Sequence, residues 1–275
     1  MIQLSSDIFI FILIFGALIG SFLNVVILRV PEKTFFKHSR SVCPKCGALV
    51  PIWLNIPVVS WLLLRGKSNC CRTSISIQYP LVELSTMIIF GLFYTRHPFL
   101  GWSFDSLLWN YDDFLRFMHG VTFTSVLLAC SVIDIRLMII PDVLSLGMIG
   151  VSPLVAWLHP ELKLVDSLGG VLLGGGFLYA IAWFYWLIRK QYGMGFGDVK
   201  LLAAIGGWIG YQGVFPTLFL GSIIGSIMGV VILMLAQKFS WKAKVPFGPF
   251  LAAGAVLYLW YGLEVFFAFG LLSQT

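Results

Sequence analysis

Charge is what this sequence has least of. Only 11% of its residues are Asp, Glu, Lys or Arg, against roughly 25% in a soluble domain. Between Leu201 and Gln237 there is none for 37 residues, and none between Ile8 and Leu28. Low-complexity tracts and internal repeats are also missing, which argues against disordered, solenoid and inverted-repeat architectures. No Lys or Arg precedes Arg29 and no small-residue cleavage site follows the first apolar run, so Ile8–Leu28 reads as a retained first helix with its N-terminus outside.

What is present is hydrocarbon: 59% of residues are hydrophobic and the mean hydropathy is +0.94. The expectation is an all-α polytopic membrane protein, a bundle of about eight transmembrane helices with one cytoplasmic cysteine-containing insertion after the first. The spans are placed at about residues 7–28, 80–97, 118–136, 142–158, 165–188, 199–212, 214–236 and 246–268. The 37-residue uncharged stretch is too long for one crossing of ~30 Å at ~1.5 Å per residue. Gly210-Tyr211-Gln212-Gly213 supplies the turn, and Pro216 is tolerated in the first turn of the next helix. Three parts follow: a first helix (1–29), a polar loop domain (30–79) and a membrane core (80–275).

The 18 basic residues are unevenly spread. Eight lie from Arg29 to Arg72, and seven more (Arg136, Arg189, Lys190, Lys200, Lys238, Lys242, Lys244) fall in alternate loops. The intervening loops hold Arg96, Arg116 and Lys163 beside five acids. The positive-inside rule puts the basic loops in the cytoplasm and explains the net +6 without a nucleic-acid partner. Trp102, Trp109, Trp157, Trp186, Trp208 and Tyr211 stand near span ends, where an interfacial belt is expected. Gly16/Gly20, Gly170/Gly174, Gly206/Gly210 and Gly221/Gly225/Gly229 carry the four-residue spacing of close helix packing.

Two acids sit at ends of apolar segments. Asp134 precedes Ile135-Arg136-Leu137-Met138-Ile139-Ile140-Pro141-Asp142, and Asp198 closes Gly193-Met194-Gly195-Phe196-Gly197-Asp198-Val199-Lys200. A carboxylate near hydrocarbon is costly, which marks it as a functional candidate. By the expected topology both lie at the cytoplasmic face, at one depth. Two carboxylates that share a proton divide the roles of general base and general acid, the chemistry of an aspartyl protease. Gly195 and Gly197 are expected to support that site through close backbone approach and positive φ. Asp142 is a third acid in the layer. The plain alternatives are acids flanking a loop or starting a helix. A rival from another class is a proton-coupled transporter using the pair as a relay.

Glu83, just inside the second span, is expected to pair with Arg65 or Arg72 or to line a peptide entry. His38, His97, His119 and His159 show no ligand spacing and are taken as interfacial or loop residues. Four of the five cysteines, Cys43, Cys46, Cys70 and Cys71, share the loop domain, where a reducing compartment favours a metal over disulfides. Cys-x-x-Cys at 43–46 has zinc-ligand spacing, but Cys70 and Cys71 are adjacent. Cys130, inside a span, reads as packing.

Together these residues resemble the type IV prepilin peptidase family. The resemblance runs through Gly20-Ser21-Phe22-Leu23-Asn24-Val25-Val26-Ile27-Leu28-Arg29-Val30-Pro31, Cys43-Pro44-Lys45-Cys46, Asn55-Ile56-Pro57-Val58-Val59-Ser60-Trp61-Leu62 and Tyr79-Pro80-Leu81-Val82-Glu83. It continues through Asp134 to Asp142, Gly193 to Leu201, including Lys200, and Pro246-Phe247-Gly248-Pro249-Phe250. It implies a bacterial inner-membrane enzyme that cleaves leader peptides from type IV prepilins and type II secretion pseudopilins at the cytoplasmic face. It implies Asp134 and Asp198 as the catalytic pair, N-methylation of the new N-terminus with S-adenosylmethionine as donor, and a four-cysteine zinc domain. The chain departs from the family at that domain. Counting back from Ile75-Ser76, Cys71 matches the last cysteine, the third position falls on Ser68, and Cys70 is displaced by two residues. A fourth ligand is then expected from Cys70 by a local backbone shift, or from a side chain such as His38.

Overall fold

In the computed structural model, described over residues 6–35, 43, 45–103, 106–191, 195–235 and 245–262, each predicted span contains a helix among the described residues. The uncharged N-terminal run forms α1 (Ser6–Arg29), with Asp7 in its first turn and Arg29 in its last, each favourable to the helix dipole. After a short 3-10 turn at Ile52–Asn55 come α2 (Val59–Leu63) and α3 (Gln78–Arg96). The chain continues as β1 (Leu100–Ser103), β2 (Ser106–Trp109) and α4 (Tyr111–Leu137). Then follow α5 (Asp142–Leu158), α6 (Leu164–Arg189), α7 (Phe196–Ile209), α8 (Val214–Leu235) and α9 (Gly248–Tyr261). The antiparallel β1–β2 hairpin pairs Leu100 with Trp109 and Ser103 with Ser106. It has no counterpart in the sequence expectation, because a four-residue ribbon leaves little hydrophobic periodicity.

Among the described residues, four helical segments are long and apolar enough to cross a membrane unaided: Ser6–Arg29, Tyr111–Leu137, Leu164–Arg189 and Tyr211–Val231. α7 and α9 have 14 residues each, only about 21 Å of helix. α7 is short because it meets protein, not lipid. Leu201, Leu202, Ala204 and Ile205 are fully buried, with α5, α6, α8 and α9 packed around them. Trp208, expected at an interface, is buried there too and donates its indole N–H to the Met148 carbonyl of α5 at 2.9 Å.

The contacts divide the chain into two compact units, Met1–Ser125 and Val126–Thr275. In the first, α1 packs on α3 through its glycines: a Cβ on Gly20 would stand 2.6 Å from the Glu83 Cα, and one on Gly16 2.8 Å from the Phe90 Cβ. Asn24, buried in α1, donates to the Tyr79 carbonyl at 3.0 Å. In the second unit, α6 and α7 meet backbone to backbone. A Cβ on Gly170 would lie 2.0 Å from the Gly206 oxygen, and one on Gly174 2.5 Å from that of Leu202. Ser167 closes the seam with a 2.7 Å bond to the Gly207 carbonyl. Gly221 and Gly225 pack on Phe250 of α9, whereas Gly229, read as part of the same stripe, has nothing within 4 Å. The expected turn after α7 is there: Gly210 takes φ +79 and a 3-10 turn covers Tyr211–Gly213 before α8.

Candidate active site and metal cluster

Asp134 lies in the last turn of α4 and is 6% exposed. Met138, in the left-handed conformation (φ 55), ends that helix, its N–H bonding the Asp134 carbonyl at 2.9 Å. The reversal sets Ile140 beside Gly197 and Gly248 before Pro141 opens α5. Asp134 Oδ2 accepts the backbone N–H of Gly248 at 3.0 Å, at the first residue of α9. A helix N-terminus offers unpaired N–H groups and a positive dipole end, and here one of them holds the acid.

Asp198 sits in the first turn of α7, half-exposed, close enough to Asp134 for their charges to interact. The structure thus brings together the two acids singled out from sequence. Ile140 bridges the elements that carry them: a Cβ on Gly197 would be 3.2 Å from the Ile140 Cβ, and one on Gly248 3.3 Å from its Cδ1 and 2.8 Å from Asp134 Oδ2. Close approach is therefore what Gly197 provides. The expected positive φ is not found. Neither Gly195 (φ −71) nor Gly197 is left-handed, because α7 begins at Phe196 and imposes ordinary helical entry. A Cβ on Gly195 would make only ordinary contact, 3.9 Å from Asp198 Oδ2. Gly193 lies outside the described residues.

Asp142, in the first turn of α5, and Lys200, in the second turn of α7, form an ion pair. The third acid is thereby tied to a cation, its side chain 62% exposed. Gly248 was not among the sequence-derived site residues. Its signal was the Pro246–Phe250 block alone, since a contact across 114 residues leaves no local pattern.

Glu83 belongs to the first unit and is 7% exposed. In place of an arginine, its Oε2 accepts the N–H of Val58 at 2.7 Å, and Ser21 also hydrogen-bonds it. Val58 adopts φ 62, ψ −51, with Val59 N–H returning to the Pro57 carbonyl. That is the rare and strained γ-turn, held here by a buried carboxylate. His119 is buried in α4 and stacked on Phe123 at 6.0 Å, not interfacial as expected. His159 Nδ1 accepts the Glu161 and Leu162 N–H groups, and His38 lies outside the described residues. Cys130 is fully buried, as packing requires.

The four loop cysteines converge, their sulfurs all within 4.8 Å of one another. Cys43 and Cys71 are 3.6 Å apart, Cys46 and Cys70 3.2 Å, Cys70 and Cys71 3.9 Å. Tetrahedral thiolates at ~2.3 Å from zinc would be spaced by about 3.8 Å, so the donor set fits. The Cys46 and Lys45 N–H groups hold the Cys43 thiol down at about 6. The Ser68 hydroxyl, then the Thr73 N–H, lowers that of Cys71. Cys46 receives the Ala48 N–H, but sharing a proton with Cys70 and Cys43 outweighs it and pushes the thiol up to about 12.

Residues 14–97 match the model of the Bacterial Peptidase A24 N-terminal domain, and residues 121–230, which contain both acids, match that of the Type IV leader peptidase family. A prepilin leader peptidase/N-methyltransferase of Stutzerimonas stutzeri is 36% identical to this chain, covering 90% of it and 89% of the relative. The chain belongs to this family. The protein of the same name from Pseudomonas aeruginosa is 35% identical over the same shares, and that of Neisseria gonorrhoeae 34% identical over 80% of each chain. No solved structure matches. The family and these relatives give the proton-relay transporter no support.

Proposed function

We propose that this protein cleaves the leader peptide of type IV prepilins and type II secretion pseudopilins and then N-methylates the new N-terminal residue. The supporting observation is the juxtaposition of Asp134, locked on the Gly248 N–H, with Asp198 at the start of α7. One carboxylate takes a proton from water as it attacks the scissile carbonyl, and the other protonates the departing amine. Gly197 lets the start of α7 close against Ile140, and the Asp142–Lys200 pair ties α7 to the start of α5. For methylation, S-adenosylmethionine supplies the methyl group when bound; it carries no residue assignment.

The basic-loop distribution supports an active site on the cytoplasmic side of the bacterial inner membrane, with lipid around the core. Cys43, Cys46, Cys70 and Cys71 are proposed to hold zinc, which would fasten the loop domain after α1. The three-part division (1–29, 30–79, 80–275) stands as a proposal with it. The test is incubation of the purified protein in detergent with a full-length prepilin, followed by intact mass. Release of the leader, with a further single methylation when S-adenosylmethionine is added, is expected. An uncleaved prepilin would contradict the peptidase, and cleavage without methylation the second activity.

A further inference from the structure

The two cysteine loops are one turn built twice, 25 residues apart. In the first, Cys43 N–H bonds the Ala48 carbonyl at 2.9 Å and Gly47 N–H the Cys43 carbonyl at 2.9 Å. In the second, Ser68 N–H bonds the Thr73 carbonyl at 2.8 Å and Arg72 N–H the Ser68 carbonyl at 3.1 Å. Gly47 has φ 69, and its counterpart Arg72 has φ 55. Residues 68, 71, 72 and 73 thus repeat 43, 46, 47 and 48. The second loop has the backbone of a metal knuckle, with a serine where the first knuckle has its leading cysteine.

We propose that Cys70 supplies the missing sulfur from inside this turn, and that Ser68 is a positioning residue that donates its hydroxyl to the Cys71 thiolate. Ser68 is 8% exposed, and its Oγ accepts the Thr73 N–H at 3.1 Å. The hydroxyl proton is therefore free for Cys71 Sγ, 3.3 Å away. Four sulfurs already complete a tetrahedron, and a neutral hydroxyl is a weak zinc ligand, so Ser68 serves outside the metal's coordination shell. A donor to a ligating thiolate fixes its direction and offsets its charge. Cys70 and Cys71, though neighbours in the chain, bring their sulfurs to one centre, 3.9 Å apart.

This inference rests on the metal reading above, and cobalt separates the two. The full-length protein in detergent is stripped and titrated with Co(II), whose sulfur-to-cobalt absorption counts thiolates, and zinc affinity is read by competition with a chelator. The unaltered protein should show a four-thiolate site. Cys70→Ser should lose about a quarter of that absorption, and Ser68→Cys with Cys70→Ser should restore it by returning the ligand to the knuckle's first position. Ser68→Ala should keep the absorption but weaken zinc binding by about 10- to 100-fold. A Cys70→Ser protein with undiminished absorption, a double variant no better than Cys70→Ser, or a Ser68→Ala protein of unchanged affinity would overturn the inference alone. No cobalt uptake by the unaltered protein would overturn the metal reading and this inference with it.

Discussion

At the scale of single residues, the way Asp134 is held decides the site. Its carboxylate rests on one backbone N–H, and the glycine providing that N–H has no room for a side chain. Gly248→Ala would put a methyl 2.8 Å from Asp134 Oδ2, so the acid must swing away or α9 must shift. Leader cleavage should fall at least about tenfold, roughly 1.4 kcal/mol in the barrier. Near-normal rates would remove Gly248 from the site. The Asp142–Lys200 pair is expected to matter less. Asp142 is mostly exposed, and such pairs contribute about 0.2–1 kcal/mol. Lys200→Ala should then slow cleavage no more than about fivefold, and exchanging the two charges should recover part of the loss. A hundredfold loss would give Lys200 a direct role in the reaction. Asp134 and Asp198 were legible in the sequence because an acid beside hydrocarbon has few reasons to be there. Gly248 and the Glu83–Val58 bond were not, since each is a contact between segments with no shared periodicity.

At the scale of elements, helix positions followed closely from apolar run length. α5 matches its predicted bounds, and α1, α6 and α8 fall within about a residue of theirs. The exceptions have physical causes. α4 begins at Tyr111, seven residues before the predicted 118, because a helix can extend past the apolar run when Asp112 and Asp113 favour its first turn. α7 is short because it is a core helix, and burial of its whole circumference makes its sequence look like a span. Its seam with α6 gives a paired test. Gly206→Val would drive a side chain to within 2.2 Å of the Gly170 carbonyl, an overpacking of about 1–3 kcal/mol or more. Its thermal unfolding in detergent should come several degrees earlier. Gly229→Ala, with open space around it, should leave the midpoint unchanged or raise it. Equal shifts in the two variants would show that the α6–α7 contact is not the tight one.

At the scale of the whole molecule, a cysteine cluster in one unit and an acid pair in the other belong to a chain with at least four membrane-crossing helices. The charge asymmetry of its loops predicts the orientation. An impermeant maleimide should label Glu161→Cys in intact cells, but reach Ser74→Cys only after the inner membrane is permeabilised. The reverse pattern would place the 30–79 domain and the active site outside. Cleavage of a purified prepilin by Asp134→Asn and Asp198→Asn proteins, each shown to be inserted and folded, decides whether the two acids are the catalytic pair. Asparagine keeps the shape but cannot act as general base, so each variant alone should release no leader. Either variant cleaving at close to the unaltered rate would show that its residue is not part of the catalytic pair.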